Sequence, residues 1–226
     1  MGTLYVIATP IGNMGDLSFR AVEVMKTLDL LLCEDTRVTG GLLKRYGLTV
    51  PMESYREQVH ERKLAGIVGR LEEGKAVGLV SDAGTPGISD PGSWLIRDIL
   101  RLAPETKVIP IPGPSAAVTA LSASGLLTDS FVFLGFPPHK KGRSRFFREA
   151  MEEKHTVVLY ESPHRIVKAL DAVAEIDPNR PICLARELTK MHETFYRGTV
   201  TEVKGKLLAG SLKGEFVLLI APVDKK

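Results

Sequence analysis

Short apolar runs recur through the first half of the chain, at residues 4–9, 30–33, 77–80 and 108–111, with segments of helical period between them. That alternation is the strongest constraint on the fold. Parallel strands need a crossover of about a dozen residues or more, so strand, helix, strand at this spacing predicts a parallel sheet with crossover helices. The run 4–9 stops at Pro10, which has no amide to extend a ladder. Asp16 and Ser18 offer N-caps to a helix carrying Phe19, Val22, Met25 and Leu28 on one face. A helix over 61–73 leads through Glu73-Gly74-Lys75 into 77–80, and another over 94–102 precedes 108–111. Ligands of open α/β sheets bind beyond the carboxyl ends of the strands. The polar and Gly/Pro-rich segments of this chain fall there.

A second block follows the turn-rich Pro110-Ile111-Pro112-Gly113-Pro114 and a short helix over 115–124. Its strands read as 131–136, 156–160, 182–185, 194–197 and 216–221, and the close succession of 181–187 and 193–200 predicts a local antiparallel pair. The expectation is an α/β protein of two domains, 1–113 with a parallel sheet and 114–226 with a mixed one. A chain of 226 residues suffices for two small cores. Cys33 and Cys183 lie far apart inside apolar runs, with no CxxC or Cys/His grouping, which argues for core thiols in a reducing compartment and against structural zinc. No apolar run approaches the roughly 20 residues that span a bilayer, and the first residues read as a core strand rather than a signal peptide. A cytoplasmic protein without membrane contact is expected. The net charge of +3 does not by itself indicate nucleic acid; clustering decides that.

The most informative segment is Ser81-Asp82-Ala83-Gly84-Thr85-Pro86-Gly87-Ile88-Ser89-Asp90-Pro91-Gly92, directly after the run 77–80. Its glycines and prolines suit a fixed loop whose amides face a ligand, although composition alone equally fits a generic tight loop. Pro112-Gly113-Pro114-Ser115-Ala116-Ala117 opens a helix, either as a close-approach site or as a plain start with Ser115 as N-cap. GxGxxG, GxxxxGK[ST] and GxSxG are all absent, which weakens NAD-dependent, NTP-hydrolysing and serine-hydrolase readings.

Seven blocks occur in a characteristic order: Ala8-Thr9-Pro10-Ile11-Gly12-Asn13, Cys33-Glu34-Asp35-Thr36-Arg37, the 81–92 loop, residues 112–116, Phe133-Leu134-Gly135-Phe136-Pro137, Tyr160-Glu161-Ser162-Pro163-His164-Arg165 and Ala185-Arg186-Glu187-Leu188-Thr189-Lys190. Together they resemble the ribosomal RNA branch of the tetrapyrrole methylase superfamily, over essentially the whole chain. The resemblance implies two α/β domains with S-adenosylmethionine in the cleft between them, and a homodimer. It implies 2′-O-methylation of a cytidine ribose in the decoding centre of 16S rRNA, as free RNA or in the 30S subunit. It assigns cofactor contacts to Pro10, to Asp82, Gly84, Thr85, Pro86, Gly87 and Ile88, to Ser115 and Ala116, and to Leu134, Tyr160 and Ala185. One departure is that many relatives carry a further C-terminal helical segment, whereas this sequence stops shortly after 216–223.

The densest basic run, 139–148, contains no acid. On the residues alone this run reads as a solvated loop leading into an amphipathic helix; given the resemblance, Lys140, Lys141, Arg143, Arg145 and Arg148, with Arg37, are the expected RNA contacts, since Lys and Arg neutralise phosphates. Phe146 and Phe147 are expected to pack beneath a helix rather than stack on bases. Proton acceptors for a ribose hydroxyl are sought among Asp35, Asp82, Glu161 and Glu187, with Glu187 and Asp35 ranked first; Arg37, Arg186 and Lys190 are placed to hold phosphate or a developing alkoxide. Each also reads as an ion-pair member. His164, expected early in a helix capped by Ser162-Pro163, and His192 are weaker acid–base candidates. Two alternatives stand beside this reading. A porphyrinoid C-methyltransferase is disfavoured by Thr9-Pro10-Ile11-Gly12-Asn13 in place of a more Gly-rich opening. A non-catalytic RNA-binding factor is disfavoured by the intact 81–92 and 112–116 segments.

Overall fold

A computed structural model describes residues 1–223. The chain divides into two compact units, Met1–Ser115 and Ala116–Lys226. In the first, β1 (Thr3–Ile7), β2 (Leu30–Cys33), β3 (Met52–Ser54), β4 (Ala76–Leu79) and β5 (Lys107–Ile111) form a parallel sheet in the order β3-β2-β4-β1-β5. Strand side chains alternate between faces. Ile7, Leu31 and Cys33 therefore meet Ala21 and Met25 of α1 (Phe19–Met25) and Leu42 and Leu43 of α2 (Thr36–Arg45). On the other face Leu4, Leu30, Leu32 and Leu79 pack against Ile67 and Leu71 of α3 (His60–Glu72) and Leu95 and Ile99 of α4 (Ser93–Leu102). The connection leaving β1 covers one face and the one leaving β4 covers the other. The two adjacent strands thus part at their carboxyl ends, which is the topological position for a ligand crevice.

Two local expectations are corrected. Phe19 does not join the buried face of α1: Ser18 is the N-cap, accepting from the Ala21 amide, and Ala21 and Met25 point inward while Phe19 is 93% exposed. Leu28 is buried, but beyond the end of that helix. The polar group 34–37 follows β2, and Asp35 within it is the N-cap of α2.

The second unit contains α5 (Ala116–Ser122), β6 (Phe131–Gly135), α6 (Arg143–Met151), β7 (Thr156–Glu161), α7 (Ile166–Ile176), β8 (Pro181–Arg186), β9 (Thr194–Thr199), α8 (Val200–Leu208) and β10 (Phe216–Ile220). Its sheet runs β6-β7-β10-β8-β9, with β6 and β7 parallel and the other neighbours antiparallel, including the β8–β9 pair. Phe147 and Met151 of α6, Leu170 and Val173 of α7, and Val203 and Leu207 of α8 pack on Val157, Leu159, Leu184 and Leu218. Each fully buried side chain of this kind contributes about 1.5–3 kcal/mol. Cys33 and Cys183 are free thiols in the two cores, and burial raises the pKa of each. Among the described residues no helix is long and apolar enough to cross a membrane.

Candidate active site at the strand ends

In the first unit the loops after β1, β4 and β5 are bonded to one another. Thr9 and Gly84 exchange amide-to-carbonyl hydrogen bonds of 2.9 and 3.1 Å. The buried Thr9 hydroxyl donates to the Ser81 carbonyl at 3.1 Å, and the Thr85 hydroxyl to the Pro114 carbonyl at 3.1 Å. Gly84 needs φ +82°, and Gly92 needs φ +134° where a Cβ would lie 2.9 Å from Leu79. Both positions exclude ordinary L side chains. The result is a fixed set of loops edged by Ala83, Gly84 and Gly87, small enough to let a ligand reach the backbone.

A small recess opens beside α2. Pro10, Met14, Val38 and Leu42 give it apolar walls; Thr9, Thr39, Ser81 and Asp82 complete the lining. Asp82 Oδ1 accepts the Asp35 amide at 3.0 Å. Asp35 itself accepts from the Arg37 amide (2.9 Å) and guanidinium (3.0 and 2.5 Å). The Arg37 side-chain and amide donors hold the Asp35 carboxyl well below the usual carboxylate range. Arg37 remains 88% exposed. Asp90 behaves oppositely: burial pushes its carboxyl up to about 6 against a hydrogen bond from Ser81, with Glu34 and Asp82 adding to the rise. Burial likewise raises Glu34, helped by Asp82. Asp90 was absent from the acceptors picked out by sequence, because its burial depends on how the whole loop folds.

Behind the Glu34–Asp35 turn lies a buried chain that the sequence reading did not single out. The Tyr55 hydroxyl meets His60 Nδ1 at 2.7 Å, and His60 Nε2 meets Asp98 Oδ2 at 2.9 Å. Hydrogen bonds from Arg97, then from His60, lower the Asp98 carboxyl to about 2. The Tyr55 amide donates to the Cys33 carbonyl at 2.7 Å, while Ser54 Oγ and Arg56 Nε donate to the Glu34 carbonyl at 3.1 and 3.2 Å. His60 thus ties α3 and α4 to the strand edge that carries the acidic turn. His60→Ala leaves buried polar atoms unpaired on both sides and is expected to cost about 2–4 kcal/mol in urea unfolding, with His60→Gln milder.

In the second unit Tyr160 is the penultimate residue of β7. Its hydroxyl accepts the Ala117 amide at 3.1 Å, and the Phe133 and Phe136 rings lie edge-on at 4.9 and 5.5 Å. Leu134 is half-buried on β6, and Ala185 is fully buried in β8. Glu161 has a fully buried side chain bound by Arg143 Nη2 (2.9 Å), Arg165 Nε (3.0 Å) and the Ser162 amide (2.8 Å). This corrects two expectations: Glu161 is an internal counterion, and Arg143, which also donates to the Pro138 carbonyl, is its clamp and not a surface cation. Lys140, Lys141, Arg145 and Arg148 are exposed, Arg145 pairing with Glu149 at 2.7 Å. Phe147 is buried and Phe146 packs on the same core.

The β8–β9 turn is equally committed. Glu187 Oε1 accepts from Lys190 Nζ (2.9 Å) and the Glu215 amide (3.0 Å), and Lys190 also reaches Glu215 at 2.9 Å. Burial would raise the Glu187 carboxyl, but those donors outweigh it and hold it below its ordinary value. Arg186 is buried, donating to the Lys213 (2.7 Å) and His192 (3.3 Å) carbonyls, so it braces two loops. Glu187 and Thr189 sit at φ +52° and +63°, a strained pair in a turn that these bonds over-determine. His164 is exposed in a turn ahead of α7, whose N-cap is Arg165, so Ser162-Pro163 does not open the helix. His192 is exposed as well.

Residues 3–204 match the family model of the tetrapyrrole (corrin/porphyrin) methylases. Ribosomal RNA small subunit methyltransferase I of Synechocystis sp. is 45% identical over 223 residues, 98% of this chain and 79% of that protein. The Thermotoga maritima protein of the same name is 38% identical over 221 residues, 98% of this chain and 99% of its own. Among solved structures the methyltransferase CobJ superposes with a TM-score of 0.71 at 18% identity, covering 100% of this chain and 96% of that one. At that identity the likeness concerns the fold alone.

Proposed function

The chain belongs to the tetrapyrrole methylase family, and we propose that it transfers a methyl group from S-adenosylmethionine to the ribose 2′-oxygen of a cytidine in 16S rRNA, free or within the 30S subunit. The observation that carries this reading is the near full-length similarity to proteins named for small-subunit ribosomal RNA. A cytoplasmic homodimer is part of the proposal.

The strand-end loops fit the cofactor: small residues and fixed backbone leave room for a flat nucleoside. Pro10, Gly84, Thr85, Pro86, Gly87, Ile88, Ser115 and Ala116 would hold it; Leu134, Tyr160 and Ala185 are the contacts the family likeness suggests from the second unit, where Ala185 is buried within its strand. S-adenosylmethionine supplies an electrophilic methyl group on a sulfonium. The protein's task is therefore to place the hydroxyl in line and to accept its proton, and rigid loops serve the first. For the second, Asp35 and Glu187 are poor choices, since adjacent cations stabilise their ionised forms. Asp90 lies on the loop after β4, near enough to Ser81, Glu34 and Asp82 to interact with them, and with its carboxyl pushed up to about 6 it is the acceptor we propose. Lys140, Lys141, Arg145, Arg148 and Arg37 supply phosphate contacts. Lys190 and Arg186 keep the β8–β9 turn in shape.

The test is transfer from radiolabelled S-adenosylmethionine to naked 16S rRNA, 30S subunits and a porphyrinogen extract. Label in an alkali-resistant, cytidine-containing dinucleotide is expected. Label confined to the porphyrinoid fraction would sink the ribosomal reading.

A further inference from the structure

We infer that the recess beside α2 receives the base of the acceptor nucleotide and that Asp82 makes it select cytosine, an inference that rests on the ribosomal RNA reading above. The recess stands at the carboxyl ends of β1 and β4, where the two connections part, and belongs wholly to the first unit. Its lining comes from the loops after β1 and β4 and from one face of α2, so it is narrow and open on one side. Met14 and Val38 are 46% and 48% exposed on its wall, an apolar surface that packing within the unit does not use. They offer faces against which a splayed base lies flat, the usual mode of single-stranded RNA recognition.

The polar side of the recess is an acceptor. Asp82 Oδ1 is fixed by the Asp35 amide, and that bond orients the carboxylate without neutralising it. A carboxylate accepts from the N4 amino group of cytosine and repels the O4 carbonyl of uracil at the same place. Adenine also carries an amino group, so the carboxylate separates cytosine from uracil and the adenosine substrate reads the shape of the recess separately. Arg37, exposed one turn away and held by Asp35, stands where the phosphate beside an extruded nucleotide needs a cation.

The experiment measures kcat/KM on 30S subunits carrying cytidine, uridine or adenosine at the methylated position, with calorimetric S-adenosylmethionine binding alongside. The parent protein is expected to prefer cytidine over uridine by about ten-fold or more. Asp82→Asn keeps a carbonyl oxygen for the Asp35 amide and adds a donor for uracil, so the preference should shrink to within about three-fold. Val38→Trp fills the recess from an exposed position; it should lower transfer about ten-fold or more while cofactor affinity stays unchanged. Equal rates on cytidine and uridine by the parent would overturn the base-reading role alone. A parallel loss of cofactor affinity in Val38→Trp would assign the recess to the cofactor and also overturn it. Transfer to no RNA, with label in the porphyrinoid fraction, removes the ribosomal reading and this inference together.

Discussion

Asp90→Asn is expected to lower kcat around neutral pH by about 10²-fold or more and to abolish the rise of rate with pH that the parent shows through about 6. Burial is the first cause of the raised carboxyl, and it acts against the Ser81 hydrogen bond. The acceptor must be ionised to take the 2′-hydroxyl proton, so parent activity climbs as pH passes its pKa and then levels. Asparagine has the shape but no basicity, so a flat, low profile is the result to look for. Stability moves the other way. The folded protein binds this proton more tightly than the unfolded chain, whose Asp titrates near 3.8. The contribution is therefore fully present below about pH 4 and is lost as pH rises through about 6. Above that the ionised, half-buried group is a burden. The amide variant should be more stable there by about 1–2 kcal/mol, allowing for solvent screening. Lower activity with higher stability in one variant is the mark of a group kept for chemistry. A variant with the parent's pH profile would hand the proton to another residue.

What the sequence disclosed and what it hid follow from the range of the interactions. Leu30–Cys33, Thr156–Glu161 and Phe216–Ile220 are strands one can read because continuous burial leaves an uninterrupted apolar run. α2 was hidden by Gly40-Gly41, each about 1 kcal/mol unfavourable in a helix, and it forms because Leu42 and Leu43 are buried against the sheet. α8 carried a readable signal in Thr199 and Glu202, a reciprocal capping box, that apolar periodicity overlooked. β3 spans three partly exposed residues and leaves too short a pattern to find.

The site divides the same way. Loops such as 81–92 announce themselves through local glycines and prolines. The state of a carboxylate does not: Glu187 is fixed by an amide 28 residues away, Asp35 abuts Asp82 at a separation of 47, and His60 meets Asp98 at 38. Asp35–Arg37, Glu161–Arg165 and Glu187–Lys190 are near neighbours whose pairing spacing could suggest, and in each the pairing removes a proton acceptor instead of supplying one.

Glu161→Gln should destabilise the protein by about 3–5 kcal/mol, because it leaves Arg143 and Arg165 facing each other in the interior without their shared counterion. Burying this cluster is not in itself a large stabilising factor, since desolvation offsets most of the attraction. The cost comes from breaking it. Glu161 accepts three bonds with no exposed side-chain surface, and the two guanidiniums also hold the carbonyls of Pro137 and Pro138 just before the basic loop. Urea unfolding should show a lower midpoint at unchanged slope, as expected when stability changes and the surface exposed on unfolding does not. Arg143→Ala separates the two roles this arginine was open to. As a phosphate contact it would weaken RNA binding and flatten its salt dependence while leaving stability alone. As the clamp on Glu161 it should cost about 3 kcal/mol or more of stability, whereas Lys140→Ala and Lys141→Ala, both on exposed residues, should lower RNA affinity and leave the unfolding midpoint where it was. The basic run thus divides by burial: its exposed cations face solvent and are the proposed phosphate contacts, and the one inside sets the geometry of the strand end that carries Tyr160.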